Sequence, residues 1–391
     1  MPYEGRFLTL APHCTLKRLE KPYLFDIEND QLYELGEEAF QFLLKASRGE
    51  PLSATEEEEG FLHYCLSEQL VTISERPVPR TFRLDPSPVP SLRYLELLIT
   101  DRCNLRCRHC YLGEGRGQDL PFVTILKVLE EFESIQGLRL LLSGGEPLLH
   151  PDFWAINDVL TNYPFRSVML SNGTLITENV ARRLRLHEVQ LSLDGMKKGH
   201  EAIRGEGTFE KVLRAIDLLQ EAGLRVSIAT MIHRKNLEEF EELASLLQSK
   251  GIEEWNVDIP CPAGRLEESQ DLWVSPEEGG PLLRYGFGGG FHGSEHREIC
   301  GAHLCAVLPD GTVAKCGLFG DEPLGTIEEG LRVCWERMAR IPLDRLKCRC
   351  EVIEECRGGC RFRAKRLGDF YGPDLYQCFA RGVLPSTSES P

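Results

Sequence analysis

The strongest constraint on this chain is a run of three thiols, Cys103, Cys107 and Cys110, spaced CxxxCxxC with Tyr111 directly behind. They follow an apolar stretch, Tyr94-Leu95-Glu96-Leu97-Leu98-Ile99-Thr100, whose composition predicts a strand. Three soft thiolates on one loop suit an iron–sulfur cluster, because each iron takes tetrahedral sulfur ligation and a fourth iron can be left without a protein ligand. The open iron is a place where chemistry can happen. A structural zinc site needs a fourth protein ligand and is usually built from paired CxxC or Cys/His spacings, so zinc is the alternative reading.

The stretch CNLRCRHCY after a strand resembles the signature of the radical S-adenosylmethionine (radical SAM) enzymes. The resemblance implies that Cys103, Cys107 and Cys110 hold a 4Fe-4S cluster and that S-adenosylmethionine chelates the open iron. It further implies that one electron cleaves the sulfonium, giving a 5'-deoxyadenosyl radical that takes a hydrogen atom from substrate. Tyr111 falls among the positions expected beside the cofactor.

With 391 residues the chain suggests two or three domains, each able to bury a core. Its 45 Lys and Arg against 61 Asp and Glu give a net charge of -16, without the basic excess of a nucleic-acid binder. No apolar run approaches the roughly 18 residues that would cross a membrane, and the first residues start no signal peptide. The expectation is therefore a soluble, cytoplasmic protein with neither nucleic acid nor membrane as partner. In that compartment 15 cysteines read as metal ligands or catalytic thiols rather than disulfides.

Residues 1-90 form the first predicted domain with its linker. Tyr23–Ile27 and Gln31–Leu35 alternate like a short hairpin around Glu28-Asn29-Asp30. Ala39, Phe40, Phe42, Leu43 and Leu44 mark a helix face, and a second helix runs through Phe61, Leu62, Cys65, Leu66 and Leu70 before a closing strand, Leu70–Ile73. This order resembles the winged-helix-like PqqD peptide-recognition domain, with a generic helical cap as the alternative. From Arg76 to Pro90, five prolines predict a semi-extended linker that isolates the module.

Residues 91-290 repeat a strand–helix unit six times, which argues for an α/β fold with parallel strands and crossover helices. Six units do not fill an eight-unit barrel; the family's partial (β/α)6 TIM-like barrel fits the count. Polar residues and glycines end these strands, where barrel sites are built. Gly144-Gly145-Glu146 resembles the family's GGE motif, which holds the methionine amine. Ser192 and Asp194 resemble its ribose-contacting positions. Asn172 and Arg204 are candidates to reach the methionine carboxylate or substrate, Arg204 through its bidentate fork.

Residues 291-391 carry patterned cysteines and resemble the SPASM extension of radical SAM peptide maturases, which binds two auxiliary 4Fe-4S clusters. By positional match Cys300, Cys305, Cys316 and Cys360 would hold the first, and Cys348, Cys350, Cys356 and Cys378 the second. The family has CxxC where this chain has Cys348-Arg349-Cys350. Cys334, Cys14, Cys65 and Cys261 read as core thiols, and zinc knuckles are the alternative for the region. The resulting expectation is an enzyme, a radical SAM oxidoreductase that modifies a ribosomally made precursor peptide with three 4Fe-4S clusters. A flavodoxin or ferredoxin would supply electrons. The rival readings are a maturase of a sulfatase-type protein, a tetrapyrrole or small-molecule modifier, and an electron-transfer protein that does not bind S-adenosylmethionine.

Overall fold

The computed structural model describes residues 5–53, 55–293, 298–299 and 301–383. Its N-terminal part holds strands β1 (Phe7–Leu10), β2 (Cys14–Arg18), β3 (Pro22–Asp26) and β4 (Gln31–Glu34). Helices α1 (Glu37–Ser47) and α2 (Glu56–Ser67) follow, then β5 (Val71–Ser74). The hairpin β3–β4, both helices and the closing strand are those the sequence predicts. Strands β1 and β2 are additional: β1 pairs antiparallel with β5, and β2 pairs antiparallel with β3 to make a three-stranded sheet ordered β2-β3-β4.

The linker does not isolate this module. Its sheet packs through Leu19, Tyr23, Phe25 and Ile27 on Leu138, just before the second barrel strand. Lys17 Nζ donates to the Gly137 carbonyl at 2.8 Å, and Arg166 Nη1 donates to the carbonyls of Ile27 and Glu28 at 2.8 and 2.6 Å. Arg93 pairs with Glu20 at 2.7 Å, and Arg139 with Asp30. Lys17, Arg93, Arg139 and Arg166 are all buried, so each depends on these contacts, because an unpaired buried charge carries its full desolvation cost.

The barrel strands are β6 (Tyr94–Thr100), β7 (Arg139–Gly144), β8 (Arg166–Ser171), β9 (Glu188–Ser192), β10 (Arg225–Met231) and β11 (Trp255–Asp258). All neighbours in this series are parallel. The helices that cross between them are α3 (Phe122–Ser134), α4 (Phe153–Leu160), α5 (Glu178–Arg183), α6 (Lys197–Arg204), α7 (Thr208–Glu221) and α8 (Phe240–Ser249). Leu95, Leu97 and Ile99 of β6 pack on Ile125, Val128, Leu129 and Phe132 of α3 in one continuous core. Buried on that face, the parallel strands read as near-continuous apolar runs.

A short helix α9 (Pro276–Gly279) precedes three further strands, β12 (Leu304–Val307), β13 (Thr312–Ala314) and β14 (Gly325–Thr326). These do not form a separate sheet. Strand β12 pairs parallel with β6, extending the barrel sheet to nine strands in the order β11-β10-β9-β8-β7-β6-β12-β13-β14. The sheet stays open, with β11 and β14 as its edges. Four short helices close the described chain, α10 (Leu331–Arg337), α11 (Ile353–Cys356), α12 (Arg361–Arg366) and α13 (Leu375–Ala380). Among the described residues no helix is long and apolar enough to cross a membrane.

Candidate functional site

The C-terminal ends of the barrel strands open into a cavity of about 840 Å³. Cys103, Cys107, Cys110 and Tyr111, on the loop after β6, line it together with Gly144 and Gly145 from the end of β7, Asn172 after β8, Ser192 at the end of β9, and Arg204 of α6. Strand order thus gathers residues separated by a hundred positions. Cys107 is buried, Cys110 half-buried and Cys103 exposed. The Leu105 N–H donates to Cys103 Sγ at 3.4 Å, while Asn172 Nδ2 approaches the same sulfur at 3.9 Å and Arg204 Nη1 approaches Cys107 Sγ at 3.9 Å. Burial pushes the Cys103 and Cys107 thiols up, with Arg204 opposing it at Cys107. Three thiols facing one cavity, with donors aimed at two of the sulfurs, fit a cluster that needs thiolate ligands and an accessible iron.

The glycines beside them are dictated by close backbone approach. A β-carbon on Gly145 would lie 2.3 Å from the Arg102 carbonyl oxygen, and one on Gly144 would lie 2.2 Å from that of Thr100. Gly144 also has φ +139°, which side chains rarely adopt. The two glycines therefore let β7 meet the cysteine loop directly. Gly145 N–H donates to Thr100 O at 2.8 Å and Glu146 N–H to Arg102 O at 2.8 Å.

Glu146 itself turns away from the cavity. Its carboxylate is fully buried, accepting from Ser171 Oγ at 2.9 Å and from the Asn172 N–H at 2.9 Å, and so fixes the chain that presents Asn172. Burial pushes its carboxyl up to about 7 against those donors.

Asp194 also lies elsewhere than a ribose contact requires. It is fully buried beneath the mouth, accepting from the Met231 N–H at 2.7 Å and from Arg204 Nε. Burial alone would raise this carboxyl, but Arg204 beside it, with His109 and His200, holds it well below the usual carboxylate range. Asp194 is thus a positioning residue for Arg204, while Ser192 remains at the cavity wall. The chain turns at Gly195, φ +120°, immediately beyond the strand, and the inward parity of Ser192 does not extend to Asp194.

Two features escaped the sequence reading. Glu96 projects from β6 into the cavity, where it accepts from the Gly317 N–H at 3.1 Å and from the Tyr111 hydroxyl at 3.5 Å; burial raises its carboxyl. A lone carboxylate within Tyr94–Thr100 was its signal. His109 is half-buried and lines the cavity beside the cysteine loop, with Arg204 Nη2 at 3.5 Å from its Nε2, and desolvation of the ring pushes it down to about 3. It therefore stays neutral.

In the C-terminal part, Cys348, Cys350, Cys356 and Cys378 come close enough that each of the other three raises the Cys378 thiol after burial itself. The shortened Cys348-Arg349-Cys350 spacing still allows this convergence. Cys316 and Cys360 share an apolar cluster with Phe319, Phe362 and Cys261. Cys305 is not with them: it is fully buried on β12 beside Cys334, and burial raises its thiol strongly. Cys300 lies outside the described residues. No disulfide joins one described cysteine to another.

Residues 97–247 match the family model of the Radical SAM superfamily. Domains of this class use a 4Fe-4S cluster and S-adenosylmethionine, which suits the thiol set described above. Among curated relatives, the AdoMet-dependent heme synthase of Nitratidesulfovibrio vulgaris is 31% identical over 238 residues, covering 59% of this chain and 62% of that enzyme. This chain therefore spans less than two thirds of that relative's length. The mycofactocin maturase MftC of Mycobacterium tuberculosis is 28% identical over 327 residues, covering 73% of this chain and 82% of its own. The fold matches Streptococcus suis SuiB bound to its precursor peptide SuiA with a TM-score of 0.69 and 14% identity, covering 95% of this chain and all of that one.

Proposed function

We propose that this protein is a radical SAM maturase that modifies a ribosomally made precursor peptide. The observation that carries the reading is the convergence of Cys103, Cys107 and Cys110 with the Gly144-Gly145 strand end on one cavity. When bound there, the cluster supplies the electron that cleaves S-adenosylmethionine to methionine and a 5'-deoxyadenosyl radical. The chain's own residues do the rest. Gly144 and Gly145 would leave backbone accessible to the methionine amine, Ser192 would meet the ribose, and Arg204, held by Asp194, would offer its remaining donors to a carboxylate. Tyr111 and Glu96 line the same cavity, where Glu96 can accept a proton from substrate.

A peptide substrate is supported by MftC, named as a maturase, and by the likeness to SuiB along nearly the whole chain. The N-terminal module would take the leader by strand addition at β4, an edge of its sheet with Gln31 and Glu34 exposed. Cys348, Cys350, Cys356 and Cys378 would hold one auxiliary 4Fe-4S cluster and the Cys316/Cys360 site another, three in all with that of the radical SAM domain. A flavodoxin- or ferredoxin-type donor would reduce them. The name of the 31% identical heme synthase favours a second reading, a tetrapyrrole as substrate.

The test combines anaerobic, reduced protein with S-adenosylmethionine and either a precursor peptide encoded beside the gene or an iron porphyrin. 5'-Deoxyadenosine is the expected product, and Cys103→Ala/Cys107→Ala/Cys110→Ala should abolish it. Its persistence in the triple variant would sink the assignment. Conversion of the porphyrin and not the peptide would replace the first reading by the second.

A further inference from the structure

Positional matching along the chain assigns Cys305 to the same site as Cys316 and Cys360, but the register of β12 on β6 speaks against it. Parallel partners share a face, and Cys305 is paired with Leu95 while Ala306 is paired with Glu96. Glu96 points into the cavity and accepts from Gly317, the residue after Cys316. Cys305 therefore points the other way, into the helix-covered core with Leu95 and Cys334. Its sulfur and that of Cys316 are on opposite sides of the sheet. Reaching a common cluster would require β12 to slip by one residue, which would turn every β12 side chain over.

Another thiol lies with Cys316 and Cys360. Cys261 follows β11 at the barrel mouth, and its thiol lies beside that of Cys360. Both pack with Cys316 around Phe319 and Phe362. This meeting is built rather than incidental. Arg363, three residues after Cys360, is almost wholly buried and donates through Nη1 to Asp258 Oδ1 at 2.5 Å and to the Ile259 carbonyl at 3.1 Å. Its Nη2 pairs with the buried Asp374 at 2.9 Å, and Asp374 in turn accepts from the Cys360 N–H at 2.8 Å. Two buried ionic groups, Arg363 and Asp374, thus clamp the Cys360 turn to Asp258 and Ile259 at the end of β11, three and two residues before Cys261. Cys261 and Cys316 also line the cavity that Cys103, Cys107 and Cys110 line.

We propose that Cys261, together with Cys316 and Cys360, ligates the auxiliary cluster nearest the substrate cavity, and that Cys305 is a core thiol with no metal role. The inference rests on the reading of auxiliary clusters given above. It makes the barrel itself a ligand donor, so that one cluster joins β11 to the C-terminal segment at the wall of the reaction chamber.

The experiment uses the full-length Cys103→Ala/Cys107→Ala/Cys110→Ala protein, reconstituted anaerobically, so that only auxiliary iron is counted. About eight irons per chain are expected there, two four-iron clusters. Adding Cys261→Ala should remove or shift the electron paramagnetic resonance signal of one cluster and lower the iron toward about four. Cys261→Ser, which keeps a weaker oxygen ligand and nearly the same volume, should retain iron but shift that signal, so a misfolded alanine variant does not decide the matter. Cys305→Val should leave iron and spectrum unchanged. Unaltered spectra in both Cys261 variants, or loss of a cluster in well-folded Cys305→Val, would overturn the proposal while leaving auxiliary clusters intact. A background protein holding no iron would overturn the auxiliary-cluster reading and this inference with it.

Discussion

A β-carbon added at position 145 has nowhere to go, because the atom 2.3 Å from it is a backbone carbonyl and not the end of a flexible side chain. Gly145→Ala must therefore push β7 away from the Arg102–Cys103 peptide, moving the amine-binding backbone while leaving all three thiols present. We expect S-adenosylmethionine binding to weaken by about tenfold or more, a loss of about 1.4 kcal/mol, with the iron content of the reconstituted protein unchanged. Equilibrium dialysis alongside iron analysis checks this, and undiminished binding would remove the backbone from the proposed cofactor contact. Cysteine spacing, family resemblance and strand-end position together singled out Gly144, Gly145, Asn172, Ser192 and the cysteine triplet, and these line one cavity because strand ends gather at the mouth of a parallel barrel. It was not enough for Asp194 or Glu146. Their carboxylates are spent on Arg204, Ser171 and backbone N–H groups, and such partners become known only when the loops have been folded.

At the scale of elements, the six parallel strands were legible because they are apolar runs ending in Gly, Ser, Asn or Asp. Strands β1 and β2 were not, because β2 buries Thr15 and Lys17 as fully as Leu16 and so shows no alternation. Which way Cys305 faces was equally hidden, since only the pairing of β12 with β6 decides it. Lys17 provides a measurable consequence of the unforeseen strand. Burial strips water from its ammonium and pushes it down to about 7, with Glu133 opposing, against about 10.4 for a lysine in an unfolded chain. Between these values the unfolded chain binds more protons than the folded one, so this group makes the folded state more stable as pH rises; below about 7 its cost is felt in full. Lys17→Met lacks the titration. The melting-temperature gap by which native protein differs from this variant should therefore shift in favour of the native chain between about pH 7 and pH 9, and a gap independent of pH would show that Lys17 is ordinarily charged in the fold.

For the whole molecule, the docked N-terminal sheet changes how leader recognition can be tested. Removing residues 1–75 would expose Leu138 and strip Arg93 of Glu20, Arg139 of Asp30 and Arg166 of the Ile27 and Glu28 carbonyls, so lost activity would report damage as readily as lost recognition. A single substitution at the edge avoids this. The Leu35 N–H bonds the Pro22 carbonyl inside the sheet, so by alternation the Glu34 N–H points outward from β4. Glu34→Pro removes an outward donor and spares the inner ladder. If a leader adds as a strand there, precursor conversion at low peptide concentration should fall by about tenfold or more, with peptide-free 5'-deoxyadenosine formation unchanged; equal conversion by both proteins would exclude β4 as the docking edge. The position of that sheet has a further consequence. It lies against Arg93, Leu138, Arg139 and Arg166, where the barrel strands begin, whereas the cavity opens where they end. Strands of five to seven residues at about 3.3 Å per residue put roughly 20 Å between the two ends. A peptide gripped at one end and altered at the other must cross that height outside the barrel wall, so at least about six extended residues separate the gripped segment from the altered one. The enzyme would then choose its target by counting residues along the peptide, as a ruler does, and lengthening that spacer would shift the modification from the native target onto a residue nearer the gripped segment.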